Sequence, residues 1–216
     1  MILSLSTDVK ADEPLSSEIK VFGRWSVKDI EISDPGLAKY ISLRPVIVPH
    51  TFGRHEHHRF GKKNAPIIER FINRLMTPGW ARRRSQGARK AGLITGKKST
   101  AIRIVRSAFE IIHLRTGQNP IQVLIHAIIN AAPREETTRI SYGGISYHTA
   151  CDVAPLRRID LSLRFISESI WRRSFSTIES VEEIVADELI AAATRDARSN
   201  AIRRREEKER MALSAR

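Results

Sequence analysis

The chain contains a single cysteine, Cys151, among 216 residues. One cysteine excludes an intramolecular disulfide framework and fits a reducing compartment. Long apolar runs are lacking as well. No stretch approaches the roughly 18 residues that span a bilayer, and the first residues lack the charged region and apolar core of a signal peptide. We therefore predict a soluble, intracellular protein without a membrane partner.

The sequence also lacks a recognisable catalytic constellation. Its carboxylates lie mainly in ion-pair patterns, Cys151 has no assignable base, and no glycine-rich loop joins a strand to a helix. Histidines at positions 50, 55, 57 and 58 suggest a zinc site. A structural zinc ion is bound by four ligands that usually include cysteine, and no second cluster of ligands follows these histidines at a suitable spacing. Solvated or phosphate-facing histidines fit this basic loop better. The sequence thus predicts a non-enzyme without catalytic residues, cofactor or metal.

Acidic residues are too few to balance the basic ones. The chain has 37 Lys and Arg against 24 Asp and Glu, a formal net charge of +13. Such a surplus is typical of nucleic-acid binders, because cationic side chains displace condensed counterions from phosphates. An anionic membrane would also attract it, yet no segment concentrates Lys and Arg beside Trp and Phe as interfacial helices do. Nucleic acid is the favoured partner.

One stretch differs from its helical surroundings, since residues 135–153 alternate with a period of two around Gly143-Gly144. This pattern predicts a β-hairpin with a two-residue turn, for which glycine supplies the positive φ angles. The turn sets Tyr142 opposite Ile145. Further pairing would set Glu135 against Asp152, and opposed like charges are unfavourable, so we predict that the ladder ends before them. A lone hairpin is marginally stable and needs a helical base or a partner.

The rest of the chain predicts a mainly α fold of about five to six helices. Caps, prolines and apolar periodicity indicate where each helix begins. A short helix is predicted from Asp34-Pro35 to Ser42, and longer ones at 66–76 and 100–115. A fourth helix runs from Asn119-Pro120 to Pro133 and a fifth begins at Pro155. The sixth begins at the capping box of Ser180 and ends at about Ala193. Segment 19–32 is predicted to be extended, with Phe22 and Trp25 as anchors.

Basic residues gather at two further places. The segment from Trp80 to Lys98 has no acidic residue, which favours RNA contact through Arg82, Arg83 and Arg84. Arg157 and Arg158 fall in the first turn of a predicted helix, where the helix dipole disfavours cations, so phosphate was the expected compensating partner.

These signals divide the chain into three parts. We predict an N-terminal extension at 1–63 with a short helix and a basic loop, and a helical core at 64–197 that carries the hairpin. A basic helical tail follows at 198–216. The tail has little apolar content and many Arg–Glu pairs four residues apart, so we expect it to fray in solution and to become firmly helical on a partner.

Several long segments resemble the universal small-subunit ribosomal protein seven family in its eukaryotic or archaeal form. The resemblance runs from about residue 20 onward. It is carried by PIIERFINRLM (66–76), STAIRIVRSAFEIIHLRTGQNPIQVLIHAIINAAPREETTRI (99–140), DVAPLRRIDLSL (152–163), ADELIAAA (186–193) and AIRRREEKERMALSAR (201–216). Two stretches depart from the family pattern: the basic linker from Pro78 to Gly96 is longer, and the hairpin tip ISYGGISY has tyrosine and serine in place of arginine and glycine.

The resemblance implies a structural protein of the cytoplasmic ribosome that binds the 3′ major domain of small-subunit rRNA and nucleates assembly of the head. Its hairpin would approach the exit-site tRNA and the mRNA path, beside other head and platform ribosomal proteins. Transferred residue by residue, the hairpin contacts would be Arg139, Tyr142, Tyr147 and His148. The rRNA surface would include Lys97, Lys98, Arg103, Arg106, Arg157 and Arg158, and the basic tail Arg203, Arg204 and Arg205.

Two other classes of function remain open from the residues alone. A DNA-binding helix-turn-helix regulator also combines short helices with positive charge, but it would need an exposed recognition helix and dimer symmetry. A metal-dependent nuclease would use the histidines between His50 and His58. The resemblance favours RNA over DNA and argues against both.

Overall fold

The computed structural model describes residues 19–77, 96–174 and 177–216, and within these ranges the chain is mainly helical. The described residues contain seven α-helices and one antiparallel β-hairpin. The elements are α1 (Pro35–Ala38), α2 (Ile67–Met76), α3 (Lys98–Thr116), α4 (Pro120–Ala131), β1 (Glu135–Tyr142), β2 (Ile145–Asp152), α5 (Pro155–Arg173), α6 (Val181–Ala193) and α7 (Asn200–Ser214). Two short 3₁₀ turns, Arg54–His57 and Gly61–Asn64, lie in the basic loop before α2.

The helices begin and end where the local chemistry predicts. Asn119 accepts a hydrogen bond from the Ile121 amide at the start of α4 (3.1 Å), and Ser180 and Glu183 form a reciprocal capping box on α6. Gly117, at a φ of 68°, ends α3 in the left-handed conformation that glycine adopts without strain. Helix α1 is shorter than predicted, since it ends at Ala38 instead of Ser42.

The core lies around α4 and α5. Helix α4 packs on α3, α5 and α6, and its side chains Ile121, Leu124, Ile125 and Ile128 are fully buried. Helix α5 contacts α1, α2, α4, α6 and α7 and buries two faces, as its two apolar sides predicted. The N-terminal segment closes one side, where Phe22 meets the ring of Phe109 edge to face with centroids 6.1 Å apart. Both predicted anchors, Phe22 and Trp25, pack against the core.

The hairpin has the predicted register but is longer than expected. Tyr142 pairs with Ile145, Gly143 and Gly144 take φ angles of 56° and 82°, and the ladder continues to Glu135 opposite Asp152. The prediction that pairing stops before these two acids is therefore wrong. The Arg216 guanidinium donates a hydrogen bond to the Glu135 carboxylate, so the negative charge is compensated by a residue beyond the hairpin.

The C-terminal tail is helical on the protein's own core. Helix α7 packs on α5 and on the base of the hairpin, and it buries Ala201, Ile202 and Ala212. Ser199 caps it and donates to the carboxylate of Glu188 (2.7 Å), a residue of α6. The expectation of a frayed tail is wrong because its few apolar residues fall on the one face that meets the core.

Candidate RNA-binding surface

The outer half of the hairpin projects from the core and shows an aromatic and aliphatic face to solvent. The exposed residues on this face are Ile140 (50%), Tyr142 (83%), Ile145 (59%) and Tyr147 (54%). The opposite face is polar and holds Arg139, which donates to the Ser146 hydroxyl at 2.7 Å, and the exposed His148. Burial of this apolar face on a partner would stabilise the hairpin, which makes the face a candidate binding surface.

The hairpin is fixed to the helices at its base through Glu136. Arg157 on α5 donates to this carboxylate at 2.5 Å, and Lys208 on α7 donates to its other oxygen at 3.3 Å. Burial raises the pKa of Glu136, but the two cations outweigh it and hold the pKa below its usual value. Glu136 therefore joins β1, α5 and α7.

The compensating partners of the two arginines at the start of α5 are carboxylates, where the helix-dipole argument had pointed to phosphate. Arg157 pairs with Glu136. Arg158 donates to Asp34 at 3.0 Å, and the Arg158 side chain is 13% exposed. Asp34 also caps α1 by accepting from the Gly36 amide. Arg158 thus ties α1 to α5, and an RNA contact by either arginine stays a prediction.

Helix α3 presents the clearest set of uncompensated cations. Lys97, Arg103 and Arg106 are exposed and form no ion pair with another described residue. Glu110, one turn after Arg106, is instead held by Arg24 at 2.8 Å. Positions three apart on a helix are neighbours, so Arg103 and Arg106 present their charge on the same side.

Lys98 differs from its neighbours because its ammonium group points inward. It donates at 2.7 Å to the buried carboxylate of Glu69 on α2, which also accepts from the Thr51 amide (2.9 Å) and hydroxyl (3.0 Å). Burial raises the pKa of Glu69, but Lys98 and Thr51 together hold the pKa below its usual value. Lys98 fastens α3 to α2 and to the basic loop.

Of the three tail arginines, one is exposed and two contact other residues of the protein. Arg203 is exposed, with a single long hydrogen bond from its guanidinium to the Arg198 carbonyl (3.4 Å). Arg204 lies 3.4 Å from the buried carboxylate of Glu168, and Arg205 donates to the Asn130 carbonyl at 2.7 Å. Of the three, Arg203 is the one placed to meet a partner. The predicted contacts Arg82, Arg83 and Arg84 lie outside the described residues.

Two of the four histidines of the basic loop, His50 and His55, make contacts within the protein. The Nδ1 atom of His55 is 3.0 Å from the Thr51 hydroxyl, and that of His50 is 3.9 Å from Glu69. Within the three described ranges, no group of three or more His, Cys, Asp or Glu side chains is arranged to hold a metal ion. The Cys151 thiol donates to the Glu136 carbonyl at 3.3 Å.

The sequence interpretation missed one basic cleft, which lies between the turn Gly61–Asn64, α2 and α5. It has a volume of about 610 Å³, and its lining includes Phe60, Lys62, Arg74 and Arg164. The available signal was a phenylalanine inside a strongly basic loop, FGRHEHHRFGKKN. The cations from α2 and α5 come together only in the folded chain, so spacing along the sequence does not reveal them.

No helix in the described part of the chain is long and apolar enough to cross a membrane.

Comparison with known proteins agrees with this basic, helical architecture. The family model described as "Ribosomal protein S7p/S5e" matches residues 37–216. The chain is also 47% identical over 195 residues to the protein named "Small ribosomal subunit protein uS7" from Methanothermobacter thermautotrophicus. The alignment covers 90% of this chain and 98% of that protein. The chain belongs to the ribosomal protein S7p/S5e family, whose members are structural, non-enzymatic components of the ribosome.

Proposed function

We propose that this structural constituent of the small subunit binds the 3′ major domain of the rRNA, nucleates assembly of the head, and places its hairpin near the exit-site tRNA and the mRNA path. Family membership and the near full-length match to an archaeal small-subunit protein support the proposal. Its neighbours would be other head and platform ribosomal proteins in the cytoplasmic ribosome.

One observation carries the rRNA contact. Lys97, Arg103 and Arg106 are exposed without a carboxylate partner among the described residues, whereas the predicted contacts Lys98, Arg157, Arg158, Arg204 and Arg205 are ion-paired within the protein. Lys97, Arg103 and Arg106 keep their full charge for phosphates. A cation already paired with a carboxylate gains little from a phosphate, because the first partner has to be released. The outer side of α3 is therefore the proposed main rRNA surface.

Replacing Arg103 and Arg106 together by alanine is expected to lower the slope of log affinity against log salt by about two, since two phosphate contacts are lost. Binding of the full-length protein to a transcript of the 3′ major domain, measured over a salt series, gives this slope. Arg115→Ala is the matched control on the same helix. Its side chain is held by Asp187 of α6, so we expect an unchanged slope. An equal slope in the double variant and the wild type would contradict phosphate contacts by Arg103 and Arg106.

The hairpin has a separate proposed role in handling tRNA and mRNA. Its exposed tyrosines can stack on unpaired bases, and its tip makes no part of the core. Removing Ser141 to Ser146 and closing the strands with a short turn is expected to leave incorporation into subunits intact and to disturb exit-site tRNA or mRNA binding. Sedimentation of subunits and tRNA footprinting measure the two effects. Failure of incorporation itself would make the hairpin an assembly element.

Ultraviolet crosslinking in cells, followed by mapping of the linked nucleotides, tests the proposal as a whole. We expect crosslinks concentrated in the 3′ major domain of small-subunit rRNA. Crosslinks scattered over other RNAs, or confined to DNA, would contradict it and favour a DNA-binding regulator.

A further inference from the structure

The basic cleft between α2, α5 and the turn Gly61–Asn64 has the size of a ligand site. Its volume of about 610 Å³ falls within the roughly 300–1,000 Å³ of pockets that hold small molecules. Side chains from three separate elements line it, so its shape depends on the folded core and not on one flexible loop.

Cations outnumber acids in this cleft. Its lining contains five cationic side chains, Lys62, Arg70, Arg74, Arg157 and Arg164, and two carboxylates, Glu56 and Asp160. Three of these cations form ion pairs within the protein. Arg70 pairs with Asp160 (2.9 Å), Arg157 with Glu136 (2.5 Å) and Arg164 with Glu168 (2.7 Å). Lys62 and Arg74 have no ion pair with any described residue, although the charges of Glu168 and Asp160 partly offset that of Arg74. These two cations are the ones available to an anion in the cleft.

Arg74 is in an unfavourable position for a guanidinium group. Its Nε atom is buried without a hydrogen-bond partner among the described residues. Burial lowers the pKa of Arg74 and the neighbouring charge of Arg164 lowers it further, while the charges of Glu168 and Asp160 raise it only in part. A bound anion would relieve both effects, because it accepts hydrogen bonds and offsets the repulsion between the two guanidinium groups.

Phe60 lines the same cleft and is displayed to solvent. It is 60% exposed and has a φ of 60°, a conformation that is rare for a bulky side chain. The following residue, Gly61, is packed so closely on the His55 carbonyl that a side chain there would collide with it. Arg59 lies over the ring, with its guanidinium carbon 5.2 Å from the ring centre. The loop thus holds an aromatic ring outward at the expense of backbone strain.

We propose that this cleft binds one unpaired nucleotide of RNA, with the base stacked on Phe60 and the phosphate bound by Lys62 and Arg74. The inference rests on the proposed rRNA-binding function and gives it a specific site. An aromatic ring beside uncompensated cations is the arrangement that binds single-stranded nucleic acid, since stacking accepts any base and cations neutralise the backbone. A purely double-stranded partner would leave Phe60 unused.

The test measures binding of the full-length protein to a transcript of the 3′ major domain over a salt series. Phe60→Leu is expected to weaken binding about tenfold without changing the salt slope, because a stacking contact is lost and no charge is removed. Lys62→Gln is expected to lower the slope by about one. Arg74→Gln should do the same, and its melting temperature is measured to separate an effect on folding.

Two matched controls lie in the same loop outside the cleft lining. Phe52 is also an exposed phenylalanine with a positive φ, of 53°, and Lys63 follows Lys62 in the same turn. Phe52→Leu and Lys63→Gln are expected to bind as the wild type does. If Phe60→Leu loses no more affinity than Phe52→Leu, or if Lys62→Gln and Lys63→Gln have equal slopes, the inference is wrong.

A photoreactive p-benzoylphenylalanine at position 60, incorporated into assembled subunits, identifies what the cleft contacts. A crosslink to an unpaired rRNA nucleotide is expected. A crosslink to a base-paired nucleotide or to a neighbouring protein would overturn the inference. If the wild-type protein does not bind the transcript, both the proposed function and this site are wrong. If the wild type binds and the cleft variants bind equally well, only the site is wrong.

Discussion

Replacing Glu69 by alanine is expected to lower the free energy of unfolding by about 3–5 kcal/mol. The carboxylate is 1% exposed and accepts hydrogen bonds from Lys98 and from the Thr51 amide and hydroxyl. Its removal leaves the partly buried Lys98 ammonium without a counter-charge and Thr51 without its acceptor, and it opens a gap between α2 and α3. Urea unfolding followed by circular dichroism measures the loss.

An exposed ion pair between the N-terminal segment and α3 provides the control for this prediction. Arg24 and Glu110 also pair at 2.8 Å, but their side chains are 58% and 38% exposed. Glu110→Ala should therefore cost less than about 1 kcal/mol. Replacing Glu69 and Lys98 together by glutamine and methionine should be less harmful than Glu69→Ala, since no uncompensated charge stays buried. Equal losses for Glu69→Ala and Glu110→Ala would show that burial does not matter here.

The lowered pKa of Glu69 adds a pH dependence with a defined sign. A carboxyl group whose pKa is lower in the folded state than in the unfolded state binds its proton more readily when unfolded. Its contribution is fully present above the unfolded pKa of about 4.3 and is lost as the pH falls through the folded value. Glu69→Gln should thus remove part of the acid destabilisation of the wild type. An identical acid profile in both proteins would contradict the assignment.

Deleting residues 200–216 is the second change with a large expected effect. Helix α7 buries its own Ile202 against the core. It also supplies Arg204 to the buried Glu168, Arg205 to the Asn130 carbonyl and Lys208 to Glu136. Losing one buried isoleucine contributes about 1.5–3 kcal/mol, and the buried polar groups left behind add to it. We expect a loss of at least about 3 kcal/mol and a hairpin base that is held less firmly, with Arg157 of α5 as the cation left on Glu136.

Hydrogen exchange distinguishes this local effect from a general loss of stability. Amide exchange at 135–138 and 149–152 should accelerate more than exchange within α4, because the contacts of α7 on β1 and β2 lie at the hairpin base. Arg203→Ala is the matched control, as this exposed tail arginine bonds only to the Arg198 carbonyl among the described residues. Unchanged exchange at the hairpin base after deletion would mean that α5 alone holds it.

The hairpin and the helix starts could be predicted from the sequence because their causes are local. Gly143-Gly144 fixes a two-residue turn, and the turn fixes the whole register. Asn119-Pro120 and the capping box at Ser180 act within one helical turn. Apolar periodicity likewise indicated which residues of α4 and α5 are buried.

The pairing of charges could not be predicted, because the partners are distant in the sequence. Arg158 meets Asp34 across 124 positions, and Lys98 meets Glu69 across 29. A basic residue facing RNA and one facing a buried carboxylate look alike in a sequence. The sequence therefore predicts only the kind of residue on the candidate surface, and several particular residues, Lys98 and Arg205 among them, have partners within the protein.

The base of the hairpin imposes an order on biosynthesis. Its acids Glu135 and Glu136 are neutralised by Arg216 and Lys208, which follow them by 81 and 72 positions. A nascent chain therefore carries β1 and β2 well before the residues that complete their attachment. The helices α3 and α4 can form early from local contacts, whereas the hairpin acquires its final orientation only after Lys208 and Arg216 have left the exit tunnel. Translation of α7 therefore has to precede the final docking of the hairpin base.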